Sequence, residues 1–331
     1  MIPVPTASPP LDAANLSAVR RALDRRLQLM RAGLHQAKVF VVVNGKGGVG
    51  KSSLAAALAV AWAKAGLRVG LVEMDEQGNN GEDLGFTGSV LADGGQAQAA
   101  AILDGKRLTP TGQVRPRLSV FPGGPVLEDV LEELYCQRRA ARRADDPAGR
   151  LAWMGMYAAA IDAVRDDYDV IILDVAPGSE PLQLQALVAG DYVLIPSKSD
   201  PSSRKGLRTV ARRFGQARDM NPLLRLLGVV VFATNSSASK VQTNIKEQLV
   251  GDLRGSAPVF EQVIRYVESA AVACRTEGKV PQELRTSAAI APAVRRSMAA
   301  LAGDYQSLAM EIMQAKSAAD RTASANQEEA A

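Results

Sequence analysis

The segment that decides the fold is Gly-Lys-Gly-Gly-Val-Gly-Lys-Ser, at residues 45–52. It matches the phosphate-binding pattern of Gly, four residues, then Gly-Lys-Ser. An apolar run at 39–43 leads in and a helical pattern at 51–65 leads out, which is the context that the pattern needs. The glycines let backbone N–H groups point at phosphate oxygens, and the helix N-terminus adds a partial positive charge. This phosphate loop therefore predicts a nucleotide site.

Side chains of the phosphate loop have separate expected roles. Lys51 should bridge the β- and γ-phosphates, the Ser52 hydroxyl should coordinate Mg²⁺, and Ser53 is placed to reach the α-phosphate. The alternative is a glycine-rich turn that merely joins a strand to a helix, which the combined spacing, lysine, hydroxyl and strand disfavour. The residues expected to contact nucleotide here are Gly45, Lys46, Gly47, Gly48, Val49, Gly50, Lys51, Ser52 and Ser53.

Two carboxylates follow predicted strands. Asp174 ends the apolar run 170–173. Because ligands bind at the carboxyl ends of parallel strands, Asp174 should hold Mg²⁺, directly or through water. A helix N-cap or turn aspartate is the alternative. Asp75 follows the predicted strand 68–74, and on the residues alone it is equally a turn residue or a second group around Mg²⁺.

Apolar stretches alternate with helical patterns along the chain. The alternation predicts an α/β fold, in which a mostly parallel, twisted sheet carries helices on both faces. The runs at 39–43 and 170–173 are continuously apolar, as expected of central parallel strands. The predicted strands are 38–43, 68–74, 118–121, 170–175, 192–195 and 227–233, with a further short strand at Val259.

Bulk composition excludes several classes of protein. Of the 331 residues, 47% are hydrophobic and 22% are charged, which is ordinary for a soluble globular protein. No apolar run reaches about 18 residues, and Met1–Pro10 lacks a secretory pattern. Cys136 and Cys274 lie far apart without histidine partners, which disfavours a disulfide framework or zinc site. We therefore expect a cytoplasmic protein, and its net charge of +4 mildly favours an anionic partner.

A second lysine, Lys46, lies inside the phosphate loop, and on general grounds it is a solvent-facing residue. With it, the loop resembles the deviant Walker A motif, Lys-Gly-Gly-x-Gly-Lys-Ser/Thr. That motif marks the superfamily of P-loop ATPases that includes ParA, MinD, the nitrogenase iron protein and the arsenite-pump ATPase. The resemblance implies that Lys46 reaches across an ATP-sandwich homodimer to the partner's nucleotide. It also implies ATP and Mg²⁺ as cofactors.

The resemblance extends beyond the phosphate loop. Residues 72–80 resemble the family's Asp-x-Asp-Pro-Gln-Gly-Asn segment, which implies that Asp75 orients or polarises the attacking water and joins Lys46 and Lys51 as catalytic residues. Glu73 and Glu76 depart from that segment and bear on loop geometry and hydrolysis rate. Residues 229–235 resemble the strand whose end meets adenine, and the adenine contacts implied are Thr234 and Asn235.

Within the superfamily, the sequence is closest to ParA-type DNA partition ATPases. The iron-protein branch needs paired cysteines, and MinD-like proteins end in an amphipathic membrane helix that residues 316–331 do not resemble. Residues 204–254 contain ten basic and three acidic residues. Several arginines lie four apart on one predicted helix face, which suits non-specific contact with double-stranded DNA, and a solvated basic face is the alternative. The candidate DNA-binding residues are Arg204, Arg208, Arg212 and Arg213.

Three segments are expected. Residues 1–37 form an N-terminal extension with a basic amphipathic helix, 38–315 form the ATPase domain and 316–331 form a flexible tail. Packing on the core is favoured for the N-terminal helix over partner docking or DNA contact. The resemblance implies a nucleoid-associated switch that hydrolyses ATP slowly, is stimulated by a ParB-like partner and segregates plasmid or chromosomal DNA. The alternative is a nucleotide-dependent scaffold or cargo-positioning protein with little hydrolysis.

Overall fold

In the computed structural model, one sheet organises the chain. The structure describes residues 13–143, 151–198, 201–234, 258–288 and 290–328, together with Glu247 and Gly251. Within them the sheet has eight strands in the order β3-β4-β2-β5-β1-β6-β7-β8. Every neighbouring pair is parallel except β3 with β4, which confirms the predicted fold class. The strands are β1 Val39–Val42, β2 Val69–Met74, β3 Gly112–Arg115, β4 Leu118–Phe121, β5 Val170–Val175, β6 Tyr192–Lys198, β7 Arg225–Thr234 and β8 Ile264–Arg265.

Helices cover both faces of this sheet. Successive side chains of a strand point to opposite faces, so Val39 and Val41 join one apolar core while Phe40 and Val42 join the other. The first core lies under α4 to α8, and the second lies under α2 and α11. The helices are α1 Ala13–Arg31, α2 Lys51–Lys64, α3 Asn79–Leu84, α4 Gln96–Leu103, α5 Leu127–Ala141, α6 Met156–Asp162, α7 Glu180–Ala189, α8 Pro201–Arg218, α9 Glu268–Glu277, α10 Pro281–Leu284 and α11 Pro292–Glu328.

The N-terminal helix α1 is attached to the core by buried charges. The Arg26 guanidinium bonds the Asp191 carboxylate at 2.7 Å and three backbone carbonyls at the end of α7. Arg165 also donates to Asp191, which accepts two backbone N–H groups from the start of β1 as well. His35 lies 3.3 Å from Asp191, in a structural position. Helix α1 therefore packs on the core of the domain, against α6 and the end of α7, as favoured from its apolar stripe.

The C-terminal segment differs from the prediction. A loose tail was expected from Lys316, but α11 continues to Glu328. Its last turns are held by Asp320, which accepts hydrogen bonds from Tyr192 and, at 2.8 Å, from Lys316. The expectation of looseness is wrong for 316–328 because alanine and glutamate are also good helix formers, and here the helix has a partner surface.

Candidate nucleotide-binding site

The phosphate loop joins β1 to α2 at the carboxyl end of the sheet. Gly48 and Gly50 have φ values of 69° and 91°, in the left-handed region that glycine favours. A Cβ at Gly50 would also lie 2.6 Å from the Phe232 ring. Helix α2 begins at Lys51 directly after Gly50, which offers no side-chain cap, so its first N–H groups are left for an anion. Val49 is buried behind the loop.

Polar anchors hold the base of the loop. The Asn44 side chain donates to the Pro196 carbonyl at 2.7 Å, and its oxygen accepts the Lys46 backbone N–H at 2.9 Å. Gly45 lies against Thr209 of α8, and Gly47 lies against Pro177. The loop is thereby tied to three other segments of the chain. Sequence reasoning missed Asn44, although an asparagine that ends an apolar strand is the signal that could have found it.

Lys51 is buried at the N-terminus of α2. Burial lowers the pKa of its ammonium, and the nearby carboxylates of Asp174 and Asp75 partly offset that effect. The Nζ atom donates to the Lys46 carbonyl of the loop at 3.3 Å. The structure therefore brings together the three charged groups that were predicted from three separate motifs. Such a lysine is placed to meet a phosphate that approaches the helix N-terminus.

Asp174 has the properties expected of an Mg²⁺ ligand. It is 1% exposed, and burial raises its pKa to about 6, while hydrogen bonds from Ser52 and Asn80 act in the opposite direction. Among the described atoms, Asp174 Oδ1 is buried without a hydrogen-bond partner. Mg²⁺ prefers oxygen ligands, so Asp174 and the Ser52 hydroxyl fit that ion, which when bound neutralises phosphate charge. The assignment of these two residues as metal ligands stays a prediction.

Asp75 begins the loop that follows β2. We call this loop, together with the first two residues of α3, the acidic loop (residues 75–80). Its carboxylate accepts the Gln77 N–H at 3.0 Å, and its backbone carbonyl accepts the Gly124 N–H at 3.0 Å. Burial raises the pKa of Asp75, and Lys51 acts against that rise. Asp75 is thus a turn residue that also faces the phosphate site. The two readings left open by the sequence are compatible.

Glu73, a departure from the family pattern, supports the acidic loop from within the sheet. Its carboxylate accepts the Asn80 N–H at 2.7 Å and the Gly123 N–H at 3.1 Å. It is 1% exposed, and burial raises its pKa to about 8. The glutamate side chain, longer than the usual aspartate, therefore accepts hydrogen bonds from two loops at once. Glu76, the second departure, is half-buried in the acidic loop.

Ser53 occupies the outer side of α2. Its hydroxyl bonds Asp83, whose pKa is raised by burial and lowered by Arg275. The Asp83 carboxylate also lies 3.4 Å from the Arg275 guanidinium. The predicted contact of Ser53 with the α-phosphate therefore competes with the hydrogen bond from Ser53 to Asp83, which the sequence did not indicate. The two predicted adenine contacts, the Thr234 side chain and Asn235, lie outside the described residues.

Comparisons with known proteins identify the family of this chain. Residues 37–226, more than half of the chain, match the family model described as an AAA domain. The chromosome partitioning protein ParA of Myxococcus xanthus is 32% identical over 233 residues, which are 69% of this chain and 75% of that relative. The chromosome-partitioning ATPase Soj of Thermus thermophilus is 33% identical over 196 residues, 58% of this chain and 68% of Soj. This chain belongs to the ParA/MinD superfamily.

Solved structures share the fold of this ParA-family chain. The structure of Cyanthece apo McdA has a TM-score of 0.64 at 17% identity and covers 85% of this chain and 99% of that one. Cobyrinic acid a,c-diamide synthase from Mycobacterium smegmatis, with bound ATP analog and magnesium, has a TM-score of 0.57 at 24% identity and covers 73% and 93%. At these identities the likeness establishes the fold alone.

The basic helix α8 of this ParA-family chain has an exposed and a buried face. Arg208 and Arg212 are exposed one turn apart, as predicted. Arg213 is buried and donates to Gln183 of α7, so its assignment as a DNA contact is wrong. The next residue on a helix turns by about 100°, which puts Arg213 on the side of Val210 and Ala217. The side chain of Arg204 lies outside the described residues.

None of the helices in the described ranges has both the length and the apolar character to cross a membrane.

Proposed function

We propose that this ParA-family chain is an Mg²⁺-dependent ATPase that acts as a nucleotide-controlled switch. The observation that carries the proposal is the convergence of Lys51 and the unpartnered Asp174 oxygen at the uncapped start of α2. ATP binds with its phosphates in the phosphate loop, Ser52 and Asp174 hold Mg²⁺, and Asp75 orients the attacking water. Hydrolysis rests on positioning and on charge neutralisation at the γ-phosphate.

ATP closes a homodimer in this proposal. Lys46 reaches the partner's nucleotide, so the γ-phosphate charge holds two positive loops together and hydrolysis removes that attraction. Light scattering with a non-hydrolysable ATP analogue should give a dimer, and ADP should give a monomer. Lys46→Ala should weaken the dimer while ATP binding to the monomer persists. A wild-type protein that stays monomeric with saturating magnesium and analogue would contradict the switch.

The dimer binds double-stranded DNA without sequence preference. Arg208 and Arg212 present two cations from one exposed helix face, which suits phosphate backbones and predicts strong salt dependence. Reversing both charges to glutamate should abolish duplex binding and leave ATP-dependent dimers intact. A matched control is Lys64→Glu with Arg321→Glu, because it changes the net charge equally at exposed positions near the ends of α2 and α11. Equal losses in both variants would argue against a specific DNA face.

The biological role proposed is segregation of plasmid or chromosomal DNA on the nucleoid, with a ParB-like protein that stimulates slow hydrolysis. Two of the relatives are named for chromosome partitioning, which supports this assignment. The deciding experiment is ATP turnover alone, with duplex DNA, and with DNA plus the candidate partner. Turnover that neither addition raises would favour the alternative, a nucleotide-dependent scaffold with little hydrolysis.

A further inference from the structure

Helix α8 packs directly against the phosphate loop. A Cβ at Gly206 would lie 2.1 Å from Asn44 Oδ1 and 3.4 Å from the Lys46 backbone nitrogen. One turn along, Thr209 is 3.3 Å from the position of a Cβ on Gly45. The exposed face of the same helix carries Arg208 and Arg212. The surface proposed for DNA therefore lies on one side of α8, and the loop proposed for phosphates packs against another side of the same helix.

A buried glutamine connects α8 to the site a second time. Gln183 of α7 is fully buried, and its oxygen accepts a hydrogen bond from Arg213 of α8. Its amide nitrogen donates to the Ala176 carbonyl at 3.1 Å and to the Asn44 carbonyl at 3.4 Å. Asn44 directly precedes the phosphate loop, and Ala176 lies two residues after Asp174. One amide thus bonds the basic helix, the phosphate loop and the turn after the Mg²⁺ ligand.

These bonds connect the three segments through buried groups. Gln183 is fully buried and Arg213 is 6% exposed, and a buried donor or acceptor that loses its partner is costly. A shift of the phosphate loop or of the turn after Asp174 would therefore have to break a bond of Gln183 or displace Gln183, and with it Arg213 and α8. Gly206 packs tightly against Asn44, so this contact leaves no free space between α8 and the residue before the phosphate loop.

We propose that Gln183 and Arg213 are positioning residues that couple the basic face of α8 to the nucleotide site, so that DNA bound on α8 changes how tightly the site holds ATP. The inference rests on the proposed function, since it assumes that α8 contacts DNA. Coupling between two sites is reciprocal. The nucleotide in the site therefore also changes the affinity of α8 for DNA.

The test measures release of a fluorescent ATP analogue from the wild-type dimer and from Arg213→Met, each with and without saturating duplex DNA. Arg213→Met keeps the bonds of Gln183 to both carbonyls but disconnects them from α8. In the wild type, DNA should change the release rate by about tenfold, within the usual range of coupling between sites. In Arg213→Met that effect should fall below about twofold, while DNA affinity stays within about threefold because Arg213 is buried.

A second pair of variants separates coupling from simple destabilisation. Gln183→Met removes the hydrogen bonds to Arg213, Ala176 and Asn44 together, and it should also abolish the DNA effect on release. Gln185→Met is the matched control, because Gln185 is equally buried on the same helix but bonds Tyr157 and Trp153, away from the phosphate loop. It should lower the unfolding temperature similarly and keep the DNA effect.

The outcomes are distinguishable. A wild-type protein that binds no DNA in either nucleotide state overturns the proposed function and this inference with it. Normal DNA binding with full coupling in Arg213→Met and Gln183→Met overturns the inference alone. So does loss of coupling in Gln185→Met to the same extent.

Discussion

Asn80 Nδ2 donates a hydrogen bond of 2.8 Å to Asp174 Oδ2 and so joins the acidic loop to the carboxyl end of β5. Both side chains are buried, and the Asn80 backbone N–H bonds Glu73 at the same time. The bond favours the charged form of Asp174, whose pKa burial raises to about 6. Asn80 therefore positions the proposed Mg²⁺ ligand and helps to keep it ionised.

We expect Asn80→Ala to weaken magnesium-dependent nucleotide binding. Loss of the bond raises the pKa of Asp174 further, so less of the carboxylate is charged at pH 7. A hydrogen bond to a charged group is worth about 1.5–3 kcal/mol, so the Mg²⁺ concentration for half-saturation should rise about tenfold. Titration with a fluorescent ATP analogue measures it. The defect should shrink at pH 8.5, and Asn79→Ala, half-buried next door, should bind normally.

Glu73 should make stability fall as pH rises. Its ordinary pKa is 4.5, and burial raises it to about 8 in the folded protein. Between these values the folded state holds a proton that the unfolded chain has released, so the free energy of unfolding decreases with increasing pH. Thermal unfolding from pH 5 to pH 8 measures this slope. In Glu73→Gln the slope should be flatter, although the variant is less stable throughout because an amide NH₂ cannot accept the Gly123 N–H.

The control for that slope is Glu277→Gln, an exposed carboxylate at the end of α9, which should keep the wild-type pH dependence. A Glu73→Gln protein with an unchanged slope would contradict a proton held by this side chain.

Gly123 should be intolerant of any side chain. A Cβ there would lie 2.2 Å from the Asp75 carbonyl oxygen and 2.9 Å from Glu73 Cγ. Gly123→Ala must therefore displace the acidic loop, and we expect a loss of about 1–3 kcal/mol in the free energy of unfolding together with impaired ATP turnover. Gly303→Ala is the control, since nothing lies within 4 Å of that position in α11. It should be neutral or stabilising by up to about 1 kcal/mol.

The buried charges beneath α1 predict a large effect of Arg26. Arg26→Ala leaves the Asp191 carboxylate in the interior with one guanidinium fewer, and removing one partner of a buried pair costs about 3–5 kcal/mol. Urea unfolding measures the change. The exposed Arg31 on the same helix is the comparison, and Arg31→Ala should shift stability by no more than about 0.5 kcal/mol. Similar values for the two variants would contradict an anchoring role for Arg26.

Much of the fold follows from local sequence signals. Strands β4 and β5 lie at their predicted bounds, and the phosphate loop lies between the predicted strand and helix. None of the predicted strands lies within 80–116, yet this segment contains β3, together with α4 and most of α3. These elements are short and glycine-flanked, and tertiary contacts stabilise them more than propensity does. The helical segment before β5 is also interrupted, with α6 between short 3-10 turns.

The charged residues of the site were predictable, but their neutral supports were not. Lys51 and Asp174 lie in motifs whose chemistry requires those residue types. Asn44, Asn80 and Gln183 act through hydrogen bonds to groups far away in the sequence, and no local spacing records such a bond. Gln183 did carry one usable sign, since Gln183 and Gln185 are two polar residues inside a helix whose other residues after Glu180 are apolar. Arg213 was misplaced because charge alone suggested a surface position.

The reversed edge strand β3 restricts how copies of this chain can meet. It is four residues long, pairs antiparallel with β4, and has an irregular register between Gln113 and Arg115. A short, bulged border offers a poor template for an incoming strand. Growth of the sheet from one molecule into the next is therefore disfavoured at this edge of the described sheet, and we expect association there to use side-chain surfaces, whose contacts a change in bound ligand can make and break.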